Sequence, residues 1–125
     1  MPSPIDEVLA FFAEWVTVDR MRGAMRDRFT PETVWENVGI ATTVGIEQGI
    51  AFSDGFLAQF GITRGEVVID HIAASGQSVL TERSDIFYDA AGTQLMSIKL
   101  MGILEMDGPR ILRWRDYCDT KGAGF

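Results

Sequence analysis

The sequence predicts an α+β domain in which N-terminal helices cap a strongly curved mixed or antiparallel sheet that forms a cone. Two observations support this fold class. Apolar residues recur at helical spacing in the first part of the chain, and period-two alternation with intervening turn residues dominates from Glu66 onward. Helices followed by a strand meander favour segregated layers over a parallel α/β fold.

Three helices are predicted. Ser3 followed by Pro4 is a helix start, because a hydroxyl can cap free backbone amides and proline fits the first turn. A second, more charged helix is expected over residues 19–27, with Pro31 closing that section. The third is predicted over residues 45–60, where the glycine that follows can end it.

The strands are predicted from β-branched and aromatic content and from the turn residues between them. Ser75-Gly76 and Asp89-Ala90-Ala91-Gly92 are turn sequences typical of antiparallel neighbours, and Asp107-Gly108-Pro109 turns the chain into the last strand. Residues 120–125, with two glycines, are expected to form a loose tail. The predicted strands are 33–38, 66–74, 77–88, 93–106 and 110–118.

Length and composition limit the function classes. With 125 residues, 46% of them hydrophobic, residues 1–125 are expected to form one domain with its own core. A net charge of -7 disfavours nucleic acid and anionic membrane surfaces as partners. Cys118 and His71 are the only cysteine and histidine, which excludes a Cys/His metal site. No leader or membrane-spanning pattern is visible, so a cytoplasmic protein is expected.

Charged residues fall on strand faces that are otherwise mostly apolar. In segment 77–88, Arg83 and Asp85 share the side that carries Val79 and Phe87. In the last strand, the predicted apolar side comprises Leu112, Trp114 and Cys118, and Asp116 lies on that same side. Because isolated buried charges are costly, these three charged side chains are expected to meet inside the domain.

Such a trio permits two interpretations. It can be a structural ion-pair network, or it can be catalytic. An arginine between two aspartates suits acid-base chemistry, because the cation can hold one carboxylate ionised while the other, desolvated, keeps a proton. The two titrations would then be coupled.

At these residues the chain resembles the limonene-1,2-epoxide hydrolase family, within the SnoaL-like, nuclear-transport-factor-like superfamily of cystatin-like α+β folds. The resemblance rests on Thr81-Glu82-Arg83-Ser84-Asp85 and on Trp114-Arg115-Asp116-Tyr117-Cys118-Asp119. It extends more weakly through Asp70-His71-Ile72 and Trp35-Glu36-Asn37.

The resemblance implies a cofactor-independent epoxide hydrolase. Asp85 would be the general acid, Asp116 the general base and Arg83 the bridge, and water would attack a small or medium apolar epoxide in one step to give a vicinal diol. The family usually holds this water with a tyrosine and an asparagine two residues apart, and here the pair reads Trp35 and Asn37. Indole can donate one hydrogen bond and accept none. A homodimer is expected because exposed sheet faces in this architecture commonly pair.

The sequence also leaves two alternative functions open and predicts which residues line the substrate pocket. The fold also suits a proton-transfer enzyme of the ketosteroid-isomerase or polyketide-cyclase type, or a non-catalytic ligand-binding dimer. Apolar or partly polar residues expected to line the pocket are Met21, Met25, Phe56, Phe60, His71, Phe87, Ile98, Leu100, Trp114 and Cys118.

Overall fold

Helices α1 and α2 begin at capping side chains that the sequence supplies. The computed structural model describes residues 2–121, so most of the predicted tail lies outside the described residues. Helix α1 spans Pro4–Ala13, with Ser3 and Asp6 forming a capping box, and α2 spans Val18–Arg28 behind the cap Thr17.

Helix α3 spans Ile46–Phe60, as predicted to within one residue. Gly61 ends it in the left-handed conformation, with φ of 68°, where a Cβ would be unfavourable. None of the helices within residues 2–121 is long and apolar enough to cross a membrane.

Six strands form one sheet in the order β2-β1-β6-β5-β4-β3. The pair β1 and β6 is parallel and every other pair is antiparallel, so of the two predicted alternatives, mixed or antiparallel, the sheet is the mixed one; it is curled but not closed. The strand bounds are β1 Phe29–Asn37, β2 Ala41–Val44, β3 Arg64–Ser75, β4 Ser78–Tyr88, β5 Gln94–Asp107 and β6 Arg110–Cys118.

The first strand differs from its prediction. It begins at Phe29, so Pro31 lies inside β1 and does not precede it. The ladder between β1 and β6 is irregular between Phe29 and Val34, and proline, which has no amide hydrogen to donate, is tolerated at such an irregularity. The four-residue edge strand β2 was not predicted, because its short threonine-rich segment carries too little hydrophobic signal.

Two irregularities invert predicted strand faces. The register of β3 against β4 shifts between Ile69 and His71, which turns His71 to the outer face. On β6, Arg113 pairs with Glu105 and Ile111 pairs with Met106, which leaves Leu112 as the extra residue. Ile111 is therefore the buried side chain, and Leu112, predicted to be internal, is 46% exposed.

The core lies between the helices and the inner face of the sheet. Its centre is aromatic: Phe11 of α1 packs edge-on against Trp114 of β6, with ring centroids 5.4 Å apart. Trp35 of β1 stacks on Trp114 at 4.5 Å with an interplanar angle of 9°. The polar site is built beside this aromatic cluster.

Candidate active site

Arg83 and Asp116 form a two-pronged ion pair inside the domain. Arg83 Nη2 donates to Asp116 Oδ2 at 2.7 Å, and Nη1 donates to Oδ1 at 3.1 Å. The guanidinium also lies 4.4 Å from the centroid of the Phe12 ring, which covers it from α1. Arg83 and Asp116 are only 1% and 5% exposed, so the strand alternation correctly predicted that both charges are internal.

This ion pair spans three strands and depends on a glycine. Arg83 lies on β4 and Asp116 on β6, with β5 between them, and Gly102 of β5 is the register partner of Asp116. A Cβ at Gly102 would overlap Asp116 Oδ1 and would stand 2.7 Å from Arg83 Nη1. Because Gly102 has no side chain, Arg83 and Asp116 can reach each other across β5.

Two neutral side chains complete the coordination of the pair. The indole Nε1 of Trp114 donates to Asp116 Oδ1 at 2.8 Å. Arg83 Nη1 also donates to the hydroxyl of Thr81 at 3.1 Å, and this hydroxyl donates to the carbonyl of Gly102 at 3.3 Å. A carboxylate can accept about four hydrogen bonds. Asp116 accepts three, so it keeps acceptor capacity for one more donor.

Asp85 is the third member of the cluster and is held differently. Its Oδ1 accepts one hydrogen bond from Arg83 Nε at 3.2 Å, and its side chain is 18% exposed. Burial raises the pKa of the Asp85 carboxyl; the Arg83 charge opposes this and the Asp116 charge adds to it. Burial would lower the pKa of Arg83, but the two carboxylates outweigh that effect and leave its pKa raised.

The parallel pairing of β1 with β6 brings Asn37 beside Asp116. Trp35 is the register partner of Trp114, and Asn37 is the register partner of Asp116. Both Trp35 and Asn37 line the same cavity as the two aspartates. The indole Nε1 of Trp35 is buried and has no hydrogen-bond partner within residues 2–121.

A cavity of about 70 Å³ lies between α3 and the inner face of the sheet, and Asp85 and Asp116 are in its wall. Much of the remaining wall is apolar, which fits a ligand that is largely hydrocarbon. Six of the residues predicted to line the pocket do so: Phe56, Phe87, Ile98, Leu100, Trp114 and Cys118. Burial and the neighbouring carboxylates raise the pKa of the Cys118 thiol.

Four predicted pocket residues are not in this wall. Met21 and Met25 are fully buried in the core, because α2 turns its apolar side to neighbouring elements. Phe60 packs against Phe56 near the end of α3, at 5.2 Å between ring centroids. His71 lies on the outer face and contacts Glu82, with 2.7 Å between Nδ1 and Oε1.

Gly102 and Ser53 are site residues that the sequence reasoning did not single out. Ser53 has a detectable signal, because it is a polar residue between Ile50 and Leu57 on the apolar side of α3. The role of Gly102 depends on the alignment of three strands, and no local pattern reveals it. Within residues 2–121, no group of three or more His, Cys, Asp or Glu side chains is arranged to hold a metal ion.

The architecture is that of the SnoaL-like and nuclear-transport-factor-like α+β proteins. A protein from Jannaschia sp. CCS1 described as SnoaL-like superposes with a TM-score of 0.78 at 20% identity, over 97% of this chain and 88% of its own. A protein of ketosteroid isomerase-like fold from Catenulispora acidiphila gives 0.73 at 22% identity, over 93% and 86%. At these identities the likeness concerns the fold alone.

The sequence assigns the family within that class. The family profile described as limonene-1,2-epoxide hydrolase catalytic domain matches residues 2–122, so this chain belongs to that family. The Mycobacterium tuberculosis epoxide hydrolase EphG is 34% identical over 89 residues, which is 71% of this chain and 56% of that protein. The chain thus aligns with just over half the length of this curated relative. An M. tuberculosis LEH-like epoxide hydrolase structure matches with a TM-score of 0.75 at 28% identity, over 95% and 84%.

Proposed function

We propose that this protein is an epoxide hydrolase that adds water to a small or medium apolar epoxide in one step, using Asp116, Arg83 and Asp85. The observation that carries the proposal is the unequal setting of the two carboxyls around one buried guanidinium. Asp116 accepts two hydrogen bonds from Arg83, whereas Asp85 accepts one longer bond and has a raised pKa.

This asymmetry supports a division of roles. Asp116, paired twice with the cation, is the carboxylate that takes a proton from water, and its Oδ2, which accepts one hydrogen bond, keeps acceptor capacity for it. Asp85, desolvated, is the carboxyl that keeps a proton to give. Arg83 contacts both groups and stabilises whichever of them is ionised.

The reaction then balances without a covalent enzyme intermediate. The water oxygen bonds to one ring carbon as Asp116 removes a water proton. The bond between that carbon and the epoxide oxygen breaks, and the oxygen takes the proton of Asp85 to complete a vicinal diol. Exchange with solvent returns a proton to Asp85 and removes one from Asp116. Each well-placed acid or base is worth on the order of 10²–10⁴ in rate.

Trp35 has a specific part in this proposal. Its indole can only donate, so it would hold the oxygen of the nucleophilic water while Asn37 and Asp116 accept the protons. The location of Trp35 in the wall of the same cavity as Asn37 and Asp116 supports this role.

A direct test uses a panel of terpene and cycloalkene epoxides assayed beside an enone isomerisation substrate. We expect diol formation with a bell-shaped pH profile and no isomerisation. In a single turnover in H₂¹⁸O, the label should appear in the diol and not in the protein. Label in Asp85 or Asp116 would contradict direct attack, and isomerisation without diol formation would favour the proton-transfer alternative.

A further inference from the structure

Ser53 is a buried hydroxyl on the helical wall of the cavity. It is 4% exposed and lines the cavity together with Phe52, Phe56 and Leu57 of α3. A buried serine in a helix usually bonds to the carbonyl four residues earlier, here that of Gly49. The Ser53 hydroxyl makes no such bond within residues 2–121, and its oxygen is not among the fully enclosed polar atoms that lack a partner, so it is accessible from the cavity.

Ser53 lies on a different wall of the cavity from Asp85 and Asp116. Asp85, Asp116 and Asn37 enter the cavity from strands of the sheet, whereas Ser53 enters from α3, which forms the facing wall. Its neighbours in that wall, Phe52 and Leu57, provide no polar atom. Ser53 therefore offers a hydrogen-bonding hydroxyl to a molecule in the cavity from an otherwise apolar wall, which an alanine could not do.

We infer that Ser53 is a specificity-determining residue that hydrogen-bonds a second oxygen of the substrate, placed at the end of the molecule away from the epoxide ring. The substrate class is then a mostly hydrocarbon, uncharged epoxide that carries one additional hydroxyl, ether or carbonyl group. This inference rests on the proposed epoxide hydrolysis. A neutral group fits because Asp85 and Asp116 already bring negative charge to the cavity.

The test compares two epoxides that differ by one oxygen. One is a monocyclic hydrocarbon epoxide, and the other carries a hydroxyl on the carbon farthest from the oxirane. We expect the wild-type protein to prefer the hydroxylated epoxide by roughly 5- to 10-fold in kcat/KM. Ser53→Ala and the volume-matched Ser53→Cys should reduce this preference to near unity, mainly through KM. Gln59→Ala, on the exposed side of the same helix, is the control and should leave the preference unchanged.

A second readout separates this inference from the proposed function. The saturated alcohol and hydrocarbon of the same skeleton cannot react, and their binding can be followed by the fluorescence of Trp15, Trp35 and Trp114, which line the cavity. If neither epoxide is hydrolysed, the proposed function fails, and Ser53-dependent preference for the alcohol still supports the contact. The inference is overturned if the wild type binds or hydrolyses both ligands equally well, or if its preference survives Ser53→Ala. In either case the proposed function still holds as long as diol is formed.

Discussion

Gly102 determines how closely Arg83 and Asp116 can approach each other. We predict that Gly102→Ala lowers kcat at least 10-fold and destabilises the fold by roughly 1–3 kcal/mol, because the added methyl group would push the buried Arg83 and Asp116 charges apart. Steady-state kinetics and urea unfolding measure both effects. Gly55→Ala is the matched control: it is helical, its Cβ meets nothing within 4 Å, and it should stabilise by about 0.5–1 kcal/mol. Full activity of Gly102→Ala would contradict the geometry.

Asp116 is expected to contribute to both catalysis and stability. Asp116→Asn leaves the buried Arg83 without its two-pronged partner, and breaking such a pair costs roughly 3–5 kcal/mol. We predict a loss of that size in the free energy of unfolding together with nearly complete loss of diol formation. The control is Glu105→Gln, which breaks the partly exposed ion pair between Glu105 of β5 and Arg115 of β6 and should change the free energy of unfolding by less than about 1 kcal/mol. Equal effects of the two variants would contradict the prediction.

Asp85 should behave differently. Because its pKa is raised, its stabilising contribution is complete below the ordinary value of 3.8 and is lost as pH rises through the raised value. We predict that Asp85→Asn abolishes diol formation while its stability relative to the wild type improves as pH increases from about 4 to 8. Urea titrations at several pH values test this. A relative stability that falls over the same range would show that the ionised carboxylate is favoured by its surroundings.

At the scale of elements, Thr33 bridges the break in the ladder between β1 and β6. Its hydroxyl donates to the carbonyl of Ile111 and accepts from the amide of Thr30 at 2.7 Å. Thr33→Val leaves both groups without a partner, so we predict a loss of roughly 2 kcal/mol in unfolding free energy. Activity should also fall, because this pairing places Asn37 beside Asp116. The control Thr42→Val, exposed on β2, should change neither quantity; equal stability of the two variants would argue against the bridge.

Strand periodicity predicted the interior location of Arg83, Asp85 and Asp116, because buried and exposed side chains alternate without a bulge in the parts of β4 and β6 that contain them. It was wrong for His71 and Leu112, because one extra residue in a strand inverts the faces and leaves no local mark in the sequence. Met21 and Met25 show another limit: an apolar residue that lines a cavity and one that fills the core have the same spacing. Catalytic roles for the charged trio remain predictions.

For the whole molecule, the helices cover one face of the sheet and leave apolar side chains on the other. Met101 is 56% exposed there, and Leu80, Val68 and Tyr117 are exposed as well. We predict a homodimer at micromolar concentration, which light scattering can test, and we expect Met101→Glu to shift it towards monomer. Leu9→Glu, at an exposed position of α1, is the control and should leave the dimer intact. A monomeric wild-type protein would overturn this expectation.

The position of β6 in the sheet also determines when the site can form. This strand pairs with both β1 and β5, yet it follows the other five strands that residues 2–121 form. While the protein is being synthesised, the β1–β2 hairpin and the β3–β4–β5 meander stay unconnected until residues 110–118 leave the ribosome, and Arg83 has no Asp116 to pair with. The Arg83–Asp116 pair therefore cannot form within either part of the sheet alone; it forms only when β6 joins β1 to β5.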